Sequence, residues 1–501
     1  MRFRERAGLV TTSYMRGASF GMKSQELIWL AVFVPIMGAF LLPLVGTVSK
    51  GARNLSALAL VGFSLFCSCG LIAPVLNGET VAISIPFLGG NNLFLGDSLA
   101  VFMAIVSSLV GAVIVLYSMG YISHYENQNE YYVIVVLFLG SMMGIIYSAN
   151  LILIYLFWEI TAFACWRLIG FFREKTCIVR ADKAFLVTGF GAFVMLIGFA
   201  LVYSQYGSFD LQTIQSASAT DPVANLAVLL ILFGILSKSA TLPLHTWLPD
   251  AGVAPTPVTA LLHAAVLVKI GVYVYARLFI ASFSIDPVWE TVVPAIAGIS
   301  SLVAGGAALI ETDMKRIIAY STVSQLGFIL LGLSIGNDIG VAGGLLYILM
   351  HSIAKGGLFL CAGVVEQKLH VKDITKLGGL IRTMPVTAVS FLLCAFSVMG
   401  IPPFGGFFSK YMVISGAIRS GQPLISVIFI LGAFLTMIYL FRLFSMIFLG
   451  EAKTEPVAEG APVMVGSVAL LALLSIAGGI LIQYPSAYVQ TTVHQILKVV
   501  Q

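Results

Sequence analysis

Charged residues are scarce in this chain. Asp, Glu, Lys and Arg make up 10% of its 501 residues, whereas hydrophobic residues make up 59% and the mean hydropathy is +1.01. A water-soluble domain carries about 25% charged residues. The composition therefore excludes a soluble globular protein and predicts a multi-pass protein of the cell (inner) membrane, embedded in the lipid bilayer.

Long polar segments are missing as well. The longest polar connections, 77–97 and 205–222, are too short to form a domain, since chains below about 40 residues rarely fold without disulfides or metals. Any soluble redox or nucleotide-binding component must therefore be another chain. The net charge of +5 does not predict a nucleic-acid partner, because Lys and Arg in a membrane protein report its topology.

Clustered cysteines are the third absence. The sequence contains no CxxC pair and no His/Cys cluster at metal-binding spacing. We interpret the cysteines as packing residues of the core and expect neither a metal site nor a cofactor in this chain. They lie at positions 67, 69, 165, 177, 361 and 394.

The sequence does contain a series of long apolar runs. A hydrocarbon core of about 30 Å needs roughly 20 apolar residues per helix, and runs of this length recur from Leu27 to the C-terminal region. They predict an all-α, polytopic membrane protein with about 14 transmembrane helices. The predicted spans are 27–46, 55–76, 99–120, 131–147, 150–171, 183–204, 223–241, 259–280, 288–310, 316–334, 341–364, 385–419 (interrupted), 424–449 and 461–482.

The distribution of Lys and Arg predicts the orientation of these spans. The connections 171–183 and 366–382 are rich in both residues, whereas 77–97 and 205–222 contain neither. The first two are therefore expected in the cytoplasm and the last two outside. Counting helices back places the N-terminus outside, although residues 1–26 are basic. Two interpretations stay open: synthesis begins at Met15 or Met22, or one predicted span is wrong.

Ionisable side chains interrupt five of the predicted spans. Such a group costs at least about 2.5–3.5 kcal/mol at mid-membrane, so it normally faces the interior of the bundle and marks an ion path or an ion pair. A lone lysine could instead extend to the headgroups, but five polar spans at similar depth favour a path. The candidate residues are Glu159, Lys238, His263, Lys269, His351, Lys355 and Lys410.

Prolines break the predicted helices beside two of these lysines. Lys238 precedes Pro243, and Lys410 follows Pro402 and Pro403. Unwound backbone at membrane depth is tolerated only inside protein or beside water, so two discontinuous helices are expected to line a wet interior. Corresponding interruptions in two halves of a chain predict inverted repeats, here of five helices each.

The repeats divide the chain into five predicted segments. These are a basic N-terminal tail (1–26), N-terminal transmembrane helices (27–128), a first repeat (129–280), a second repeat (288–450) and a C-terminal transmembrane helix with its tail (451–501).

Four motifs follow one another along the chain. They are SKSATLPLHTWLPDAGVAPTPVTALLHAAVLVKIGVYVYARL (237–278), DMKRIIAYSTVSQLGF (313–328), HSIAKGGLFLCAG (351–363) and GIPPFGGFFSK (400–410). This series resembles the antiporter-like subunits of proton-pumping NADH dehydrogenase, of multisubunit Na+/H+ (Mrp) antiporters and of membrane-bound hydrogenases. The resemblance covers about 129–449 and implies two inverted repeats that carry charged residues and water along the membrane plane.

The resemblance also assigns the candidate residues to a proton path. Glu159 corresponds to the glutamate of the family's fifth helix and Lys238 to the lysine of its broken seventh helix. The remaining residues match the eighth, eleventh and broken twelfth helices, in that order: His263 and Lys269, His351 and Lys355, and Lys410, which some members replace by glutamate.

One position departs from the family pattern. Arg167 stands where an apolar residue is expected, two helical turns after Glu159. It either binds Glu159, pairs with an acid of a neighbouring subunit, or lies near the cytoplasmic end and reaches the headgroups. We interpret Ser321, Ser324 and Gln325 as structural residues that hydrogen bond across helices.

The resemblance implies an ion-translocating subunit without a redox centre of its own, in a redox-driven complex of the NADH dehydrogenase or hydrogenase type. Its partners would be other membrane subunits and redox-active iron–sulfur chains. The alternative is a subunit of a multisubunit cation/proton (Na+/H+) antiporter. The residues do not distinguish protons from Na+. In the redox-driven complex, a redox step in a partner chain would perturb a Glu159–Lys238 pair that controls when Lys238 holds its proton, and Lys269 and Lys410 would relay the proton.

Overall fold

The computed structural model describes residues 22–84 and 92–500, which are almost entirely helical. The longer helices, numbered in chain order, are α1 (Ser24–Val48), α2 (Lys50–Leu76), α3 (Ser98–His124), α4 (Gln128–Tyr147), α5 (Leu151–Ile169), α6 (Lys175–Tyr206), α7 (Asn225–Lys238), α8 (Thr256–Ile280), α9 (Trp289–Ile310), α10 (Met314–Ser334), α11 (Asp338–Leu369), α12 (Pro385–Met399), α13 (Gly405–Arg419), α14 (Pro423–Phe448), α15 (Pro462–Ile480) and α16 (Gln483–Val500). Short helical segments are Leu211–Ser218, Trp247–Asp250, Ala251–Val253, Ile374–Lys376 and Leu380–Arg382.

The predicted multi-pass helical fold is confirmed. In the described ranges, 12 helices are long and apolar enough to cross a membrane, and α7 and α12 are shorter apolar helices that end at the two predicted interruptions. Each predicted span coincides with one of these helices, except that 385–419 corresponds to α12 followed by α13. The count of about 14 spans stays a prediction, because α7 and α12 alone are too short to cross a bilayer.

A small β-hairpin departs from the all-α prediction. Strand β1 (Val81–Ser84) pairs antiparallel with β2 (Asn92–Gly96), with Val81 opposite Gly96. Val81 and Ile83 are buried whereas Ser84 is exposed, an alternation that suits a strand with one covered face. The backbone N–H of Ala149 donates to the carbonyl of Leu93 at 2.8 Å, so the hairpin covers the junction between α4 and α5.

The two termini also differ from their predicted boundaries. Residues 1–21 of the predicted basic tail lie outside the described residues, and α1 already begins at Ser24. The predicted C-terminal tail forms α16, whose Tyr488 hydroxyl donates to the carbonyl of Ser98 at 3.0 Å. Because the amide of Gln495 donates to the carbonyl of Val75, α16 lies against the end of the bundle that carries the hairpin.

Polar contacts place the connections at two ends of the bundle. At the hairpin end, the backbone N–H of Asn92 donates to Asp210 at 2.9 Å, which joins 77–97 to 205–222. At the opposite end, Asp250 binds Lys183 and Arg316, each at 2.7 Å, and the N–H of Met314 donates to the 366–382 connection at 2.9 Å. The connections therefore group in the predicted pairs.

The helices after α3 show an internal correspondence. Both α6 and α11 have 32 residues and are followed by a residue in the left-handed region, Gly207 and His370. Backbone bridges join Asn150 to Asp210 and Asp313 to Asp373, at opposite ends of the bundle. The second bridge follows the first by 163 residues, from 150 to 313, and α11 begins 163 residues after α6, from 175 to 338. This correspondence supports the repeat boundaries 129–280 and 288–450, which stay a proposal.

Candidate proton-transfer site

The first broken helix ends at Lys238. After this residue the chain turns through Ala240, whose φ is 50°, and begins the short helix Trp247–Asp250. The last carbonyls of a helix lack intrahelical partners, and here the indole N–H of Trp247 donates to the carbonyl of Ser237 at 3.0 Å. A side chain of the same protein thus satisfies a carbonyl at the end of α7. The break leaves the Lys238 ammonium in the interior of the bundle.

The side chain of Lys238 rests on Trp158. Its Nζ donates to the backbone carbonyl of Trp158 at 3.1 Å and lies 5.1 Å from the centre of the indole ring. Both residues are completely buried. The ammonium therefore has two partners from a single residue of α5, and neither partner is a carboxylate.

The predicted Glu159–Lys238 ion pair is not formed in this structure. Within the described chain no contact below 4 Å joins the two side chains, and Glu159 is only half-buried. The reason is helical geometry, since neighbouring residues point about 100° apart around the axis. Trp158 faces inward, whereas Glu159 lies toward the side of α5 on which Leu156 and Phe163 are half-exposed.

The next two candidate residues lie on α8, which is irregular where they occur. His263 falls within a π-helical turn, Leu261–Ala265, and its Nδ1 is 2.8 Å from the carbonyl oxygen of Thr259. Such turns disturb the regular hydrogen-bond ladder and often lie at functional sites. Here the carbonyl of His263 accepts a hydrogen bond from Lys269 Nζ at 3.0 Å.

Lys269 connects the two predicted repeats. Its Nζ lies 2.6 Å from Nδ1 of His351 on α11, and both side chains are completely buried. When Lys269 is the donor, His351 Nδ1 is the acceptor and the ring proton is on Nε2. The Nε2 atoms of His263 and His351 have no hydrogen-bond partner in the described chain. With these tautomers, His263 Nε2 can accept a proton and His351 Nε2 can donate one.

Lys355 joins a network of hydroxyl and amide groups. Its Nζ donates to the Ser321 hydroxyl and, at 3.2 Å, to the carbonyl of Ile318. Tyr439 also donates to Ser321, at 2.9 Å, and Gln325 donates to Tyr439 at 3.2 Å. Ser321 and Gln325, which the sequence analysis treated as structural, therefore belong to the site. Tyr439 was not singled out, because a lone tyrosine in an apolar helix gives no signal.

The second broken helix positions Lys410. Helix α12 ends at Met399, Gly400 has a φ of 82°, and α13 begins at Gly405. The Nζ of Lys410 donates to the carbonyl of Val398 at 2.8 Å and lies 4.6 Å from the ring centre of Phe328. Like Lys238, Lys410 is buried beside a helix break and contacts an aromatic ring and a backbone carbonyl.

Arg167 does not bind Glu159. It forms an ion pair with Glu130, the first-turn acid of α4, and Arg173 contacts the same carboxylate at 2.9 Å. These residues lie at the end that carries the 171–183 connection, which agrees with the interpretation that Arg167 is near the end of its span. Glu159 consequently keeps its freedom from this guanidinium.

Six of the seven candidate residues form a buried line across α7, α8, α11 and α13, and Glu159 on α5 lies half-buried at its start. The described residues contain no group of three or more His, Cys, Asp or Glu that could hold a metal ion. Of the cysteines, five are buried and Cys69 is exposed. The amines and imidazoles of the site, and the hydroxyls of Ser321 and Tyr439, are groups that can accept and donate protons.

Comparison with known families identifies most of the helical bundle. Residues 148–436 match the family described as NADH:quinone oxidoreductase/Mrp antiporter, TM. Residues 91–132 match the family described as NADH-Ubiquinone oxidoreductase (complex I), chain 5 N-terminus. The first match contains every candidate residue.

Curated relatives come from staphylococci. The Na(+)/H(+) antiporter subunit A1 of Staphylococcus saprophyticus is 35% identical over an alignment of 493 positions that covers 91% of this chain and 61% of that protein. The subunit A1 of Staphylococcus haemolyticus is 33% identical over an alignment of 506 positions that covers 93% of this chain and 62% of that protein. The chain thus spans less than two thirds of the length of these relatives.

Two solved structures share the fold. A chain of the Mrp complex from Dietzia sp. DQ12-45-1b superposes with a TM-score of 0.87 at 23% identity, covering 95% of this chain and 98% of that one. A chain of the membrane-bound sulfane sulfur reductase, an archaeal respiratory membrane complex, also gives 0.87, at 25% identity and 94% and 98% coverage. Because the family match at 148–436 covers more than half of its residues, the chain belongs to the NADH:quinone oxidoreductase/Mrp antiporter family of membrane subunits.

Proposed function

We propose that this chain is the proton-conducting membrane subunit of a multisubunit Na+/H+ antiporter. The two staphylococcal relatives, which are named as subunits of such antiporters, match more than nine tenths of its length. They favour the antiporter alternative over the redox-driven complex that the motifs first suggested. The partners are accordingly other membrane subunits.

The contact between Lys269 and His351 carries the proposal. It joins α8 of the first repeat to α11 of the second at 2.6 Å, so the line of buried bases continues from one repeat into the other. A purely structural role would not need this contact, because burying an amine and an imidazole without a carboxylate costs free energy that apolar residues would not. A proton that passes along the line explains why these groups are kept.

The contacts between the buried amines and imidazoles favour a proton over Na+ as the ion that this chain carries. Hard cations bind oxygen ligands, whereas six of the seven candidate residues offer nitrogen and only Glu159 offers a carboxylate. We place the Na+ route in another part of the complex. Exchange then requires that proton movement in this chain be coupled to Na+ movement elsewhere in the complex. The buried charges of this chain can provide that coupling.

The coupling step is electrostatic. Ammonium groups buried without carboxylates repel one another, since two charges interact more strongly in a low-dielectric interior than in water. A proton that arrives at Lys269 therefore favours release from Lys355, and the same holds between Lys355 and Lys410. Glu159 lies at the start of this line, near Lys238. Its carboxylate can bind the ammonium group of Lys238 when the lysine side chain turns outward.

The test is Na+-dependent proton exchange in everted membrane vesicles that contain the complex. We expect Lys238→Ala and Lys269→Ala to lower the exchange rate at least tenfold, because each removes a proton carrier from the line. Lys376→Ala, which alters an exposed lysine of the 366–382 connection, is the matched control. Full exchange with Lys238→Ala in a normally assembled complex would refute the proposal.

A redox-driven complex is the second candidate. The likeness to a chain of the sulfane sulfur reductase, a respiratory complex, at a TM-score of 0.87 favours it. Purification of the chain in mild detergent distinguishes the two, because only a redox-driven complex would carry iron–sulfur chains. Copurification of small hydrophobic chains alone would support the antiporter.

A further inference from the structure

Trp158 has a contact that its packing alone does not explain. It is completely buried, yet its indole N–H has no hydrogen-bond partner in the described part of the chain. An unpaired buried donor costs free energy, so a leucine or methionine would pack here at a lower cost. What the indole adds is a large ring face, and the Nζ of Lys238 lies 5.1 Å from its centre.

We propose that Trp158 is a positioning residue, which holds the protonated side chain of Lys238 away from Glu159 between transfer steps. The ring face attracts a cation through its quadrupole, and the carbonyl of the same residue accepts a hydrogen bond from Nζ at 3.1 Å. A neutral amine gains little from the ring. Trp158 therefore retains Lys238 only while the lysine carries a proton, and this inference rests on the proposed proton path.

Glu159 is the competing partner. It follows Trp158 directly, so its side chain points about 100° away on the same helix. A lysine with a flexible four-carbon stem can reach either neighbour without a movement of the backbone. The ammonium thus has an inward position on the ring and an outward position on the carboxylate, and Trp158 stabilises the inward one.

The second repeat contains the same arrangement independently. Lys410 lies 4.6 Å from the ring centre of Phe328 and 5.7 Å from that of Tyr347, and its Nζ donates to the carbonyl of Val398 at 2.8 Å. Lys238, before the first helix break, and Lys410, after the second, therefore each contact an aromatic ring and a main-chain carbonyl. The recurrence of this arrangement at the second break argues against chance packing.

Few charged groups compete for Lys238. The titratable groups that act on it are Glu159 and Cys165, both on α5. On the helices packed against α7, Lys183 of α6 is bound to Asp250, and Lys269 of α8 is bound to His351. His263 of α8 bonds the carbonyl of Thr259. A change in the pH dependence that follows substitution of Trp158 would thus be transmitted through Lys238.

The experiment measures the pH profile of Na+-dependent exchange in everted vesicles for Trp158→Leu, Trp158→Met and Trp158→Phe. Without a ring, only the main-chain carbonyl of residue 158 holds protonated Lys238 in its inward position, so we expect the alkaline limb of the profile to move to lower pH by about 0.5–1 unit. Trp158→Phe keeps a ring and should restore most of the wild-type profile. Phe138→Leu, which removes a fully buried ring of α4, controls for lost volume and should leave the profile unchanged.

The outcomes separate this inference from the proposed function. If Trp158→Leu and Trp158→Met keep the wild-type profile while Lys238→Ala abolishes exchange, the positioning role is overturned and the proton path stands. If Lys238→Ala keeps full exchange, the proposed function itself fails. Equal shifts for the phenylalanine and leucine variants would also overturn the inference, because they would report lost volume rather than the lost ring.

Discussion

At the scale of single residues, the four buried lysines of the candidate site are held by groups that do not carry a negative charge. Lys238 and Lys410 contact rings and carbonyls, Lys269 contacts an imidazole, and Lys355 contacts a hydroxyl. A carboxylate within hydrogen-bond distance would fix a proton on its lysine. The weaker partners hold each side chain in place while leaving its proton free to move.

Ser321 offers a test of this principle at Lys355. Its hydroxyl accepts from Lys355 and from Tyr439, so Ser321→Ala removes a polar group from a buried amine. We expect the exchange rate to fall about tenfold or more, since a lost hydrogen bond to a charged group costs about 1.5–3 kcal/mol. The measurement is Na+-dependent exchange in vesicles at equal amounts of assembled complex.

Ser324 provides the matched control for that substitution. It lies one turn further along α10, is equally buried, and bonds Ser301 rather than a lysine. Ser324→Ala should therefore keep at least half of the wild-type rate. Comparable losses in the two variants would mean that cross-helix hydrogen bonds, and not the contact with Lys355, set the rate.

At the scale of helices, the sequence predicted the spans and both breaks but not what surrounds them. Apolar runs and prolines are local signals, so the positions of α7, α12 and their interruptions follow from the chain itself. The contact of Lys238 with Trp158 depends on how two helices rotate against each other, and no local pattern reports that rotation. The hairpin was missed because the 77–97 connection gives only a short, weak alternation of apolar residues.

Helix α15 packs directly against the second break. A Cβ added at Gly479 would lie 1.9 Å from the carbonyl oxygen of Pro403 and 2.7 Å from Phe404 Cα. Both neighbours are backbone atoms, which cannot move aside as a side chain can. We expect Gly479→Ala to displace the break beside Lys410, with a lower melting temperature of the purified complex and reduced exchange.

Gly466 on the same helix gives the opposite expectation. A Cβ there would meet nothing within 4 Å, so Gly466→Ala should be tolerated, and its better helix propensity favours stability by up to about 1 kcal/mol. Thermal unfolding of both variants in the same detergent makes the comparison. Equal destabilisation of the two would show that α15, rather than its contact with the break, is sensitive to alanine.

At the scale of the whole molecule, Asp250 ties the two repeats together. Burial opposes its ionisation, but hydrogen bonds and charge from Lys183 and Arg316 outweigh this effect and lower its pKa below the ordinary 3.8. A carboxylate whose pKa is lowered in the folded state stabilises that state above its unfolded pKa, and the effect disappears as the pH falls through the folded value. Asp250 should therefore stabilise the contact between the repeats at neutral pH.

Asp250→Asn tests this contact. We expect it to cost about 1 kcal/mol at pH 7, since partly exposed ion pairs are weak, and progressively less as the pH falls below about 4. The readout is the melting temperature of the purified complex as a function of pH. Asp338→Asn, at an exposed aspartate without an ion pair in the described chain, should change little, and a pH-independent loss for Asp250→Asn would contradict the ionic explanation.

The orientation of the molecule decides which way protons travel. The charges of the loops and the basic N-terminal segment predict opposite orientations. The amide of Gln25 donates to the carbonyl of Ala82 at 3.0 Å, so the start of α1 lies at the hairpin end, which the loop charges place outside although residues 1–26 are basic. We expect Ser216→Cys to react with an impermeant maleimide on intact cells and Lys376→Cys to react only after permeabilisation. Both positions are exposed, and the exposed Cys69 is first replaced by alanine. The reverse labelling would mean that the basic N-terminal segment, rather than the loops, sets the orientation. Each end of the molecule, and with it the line from Glu159 to Lys410, would then face the other side of the membrane.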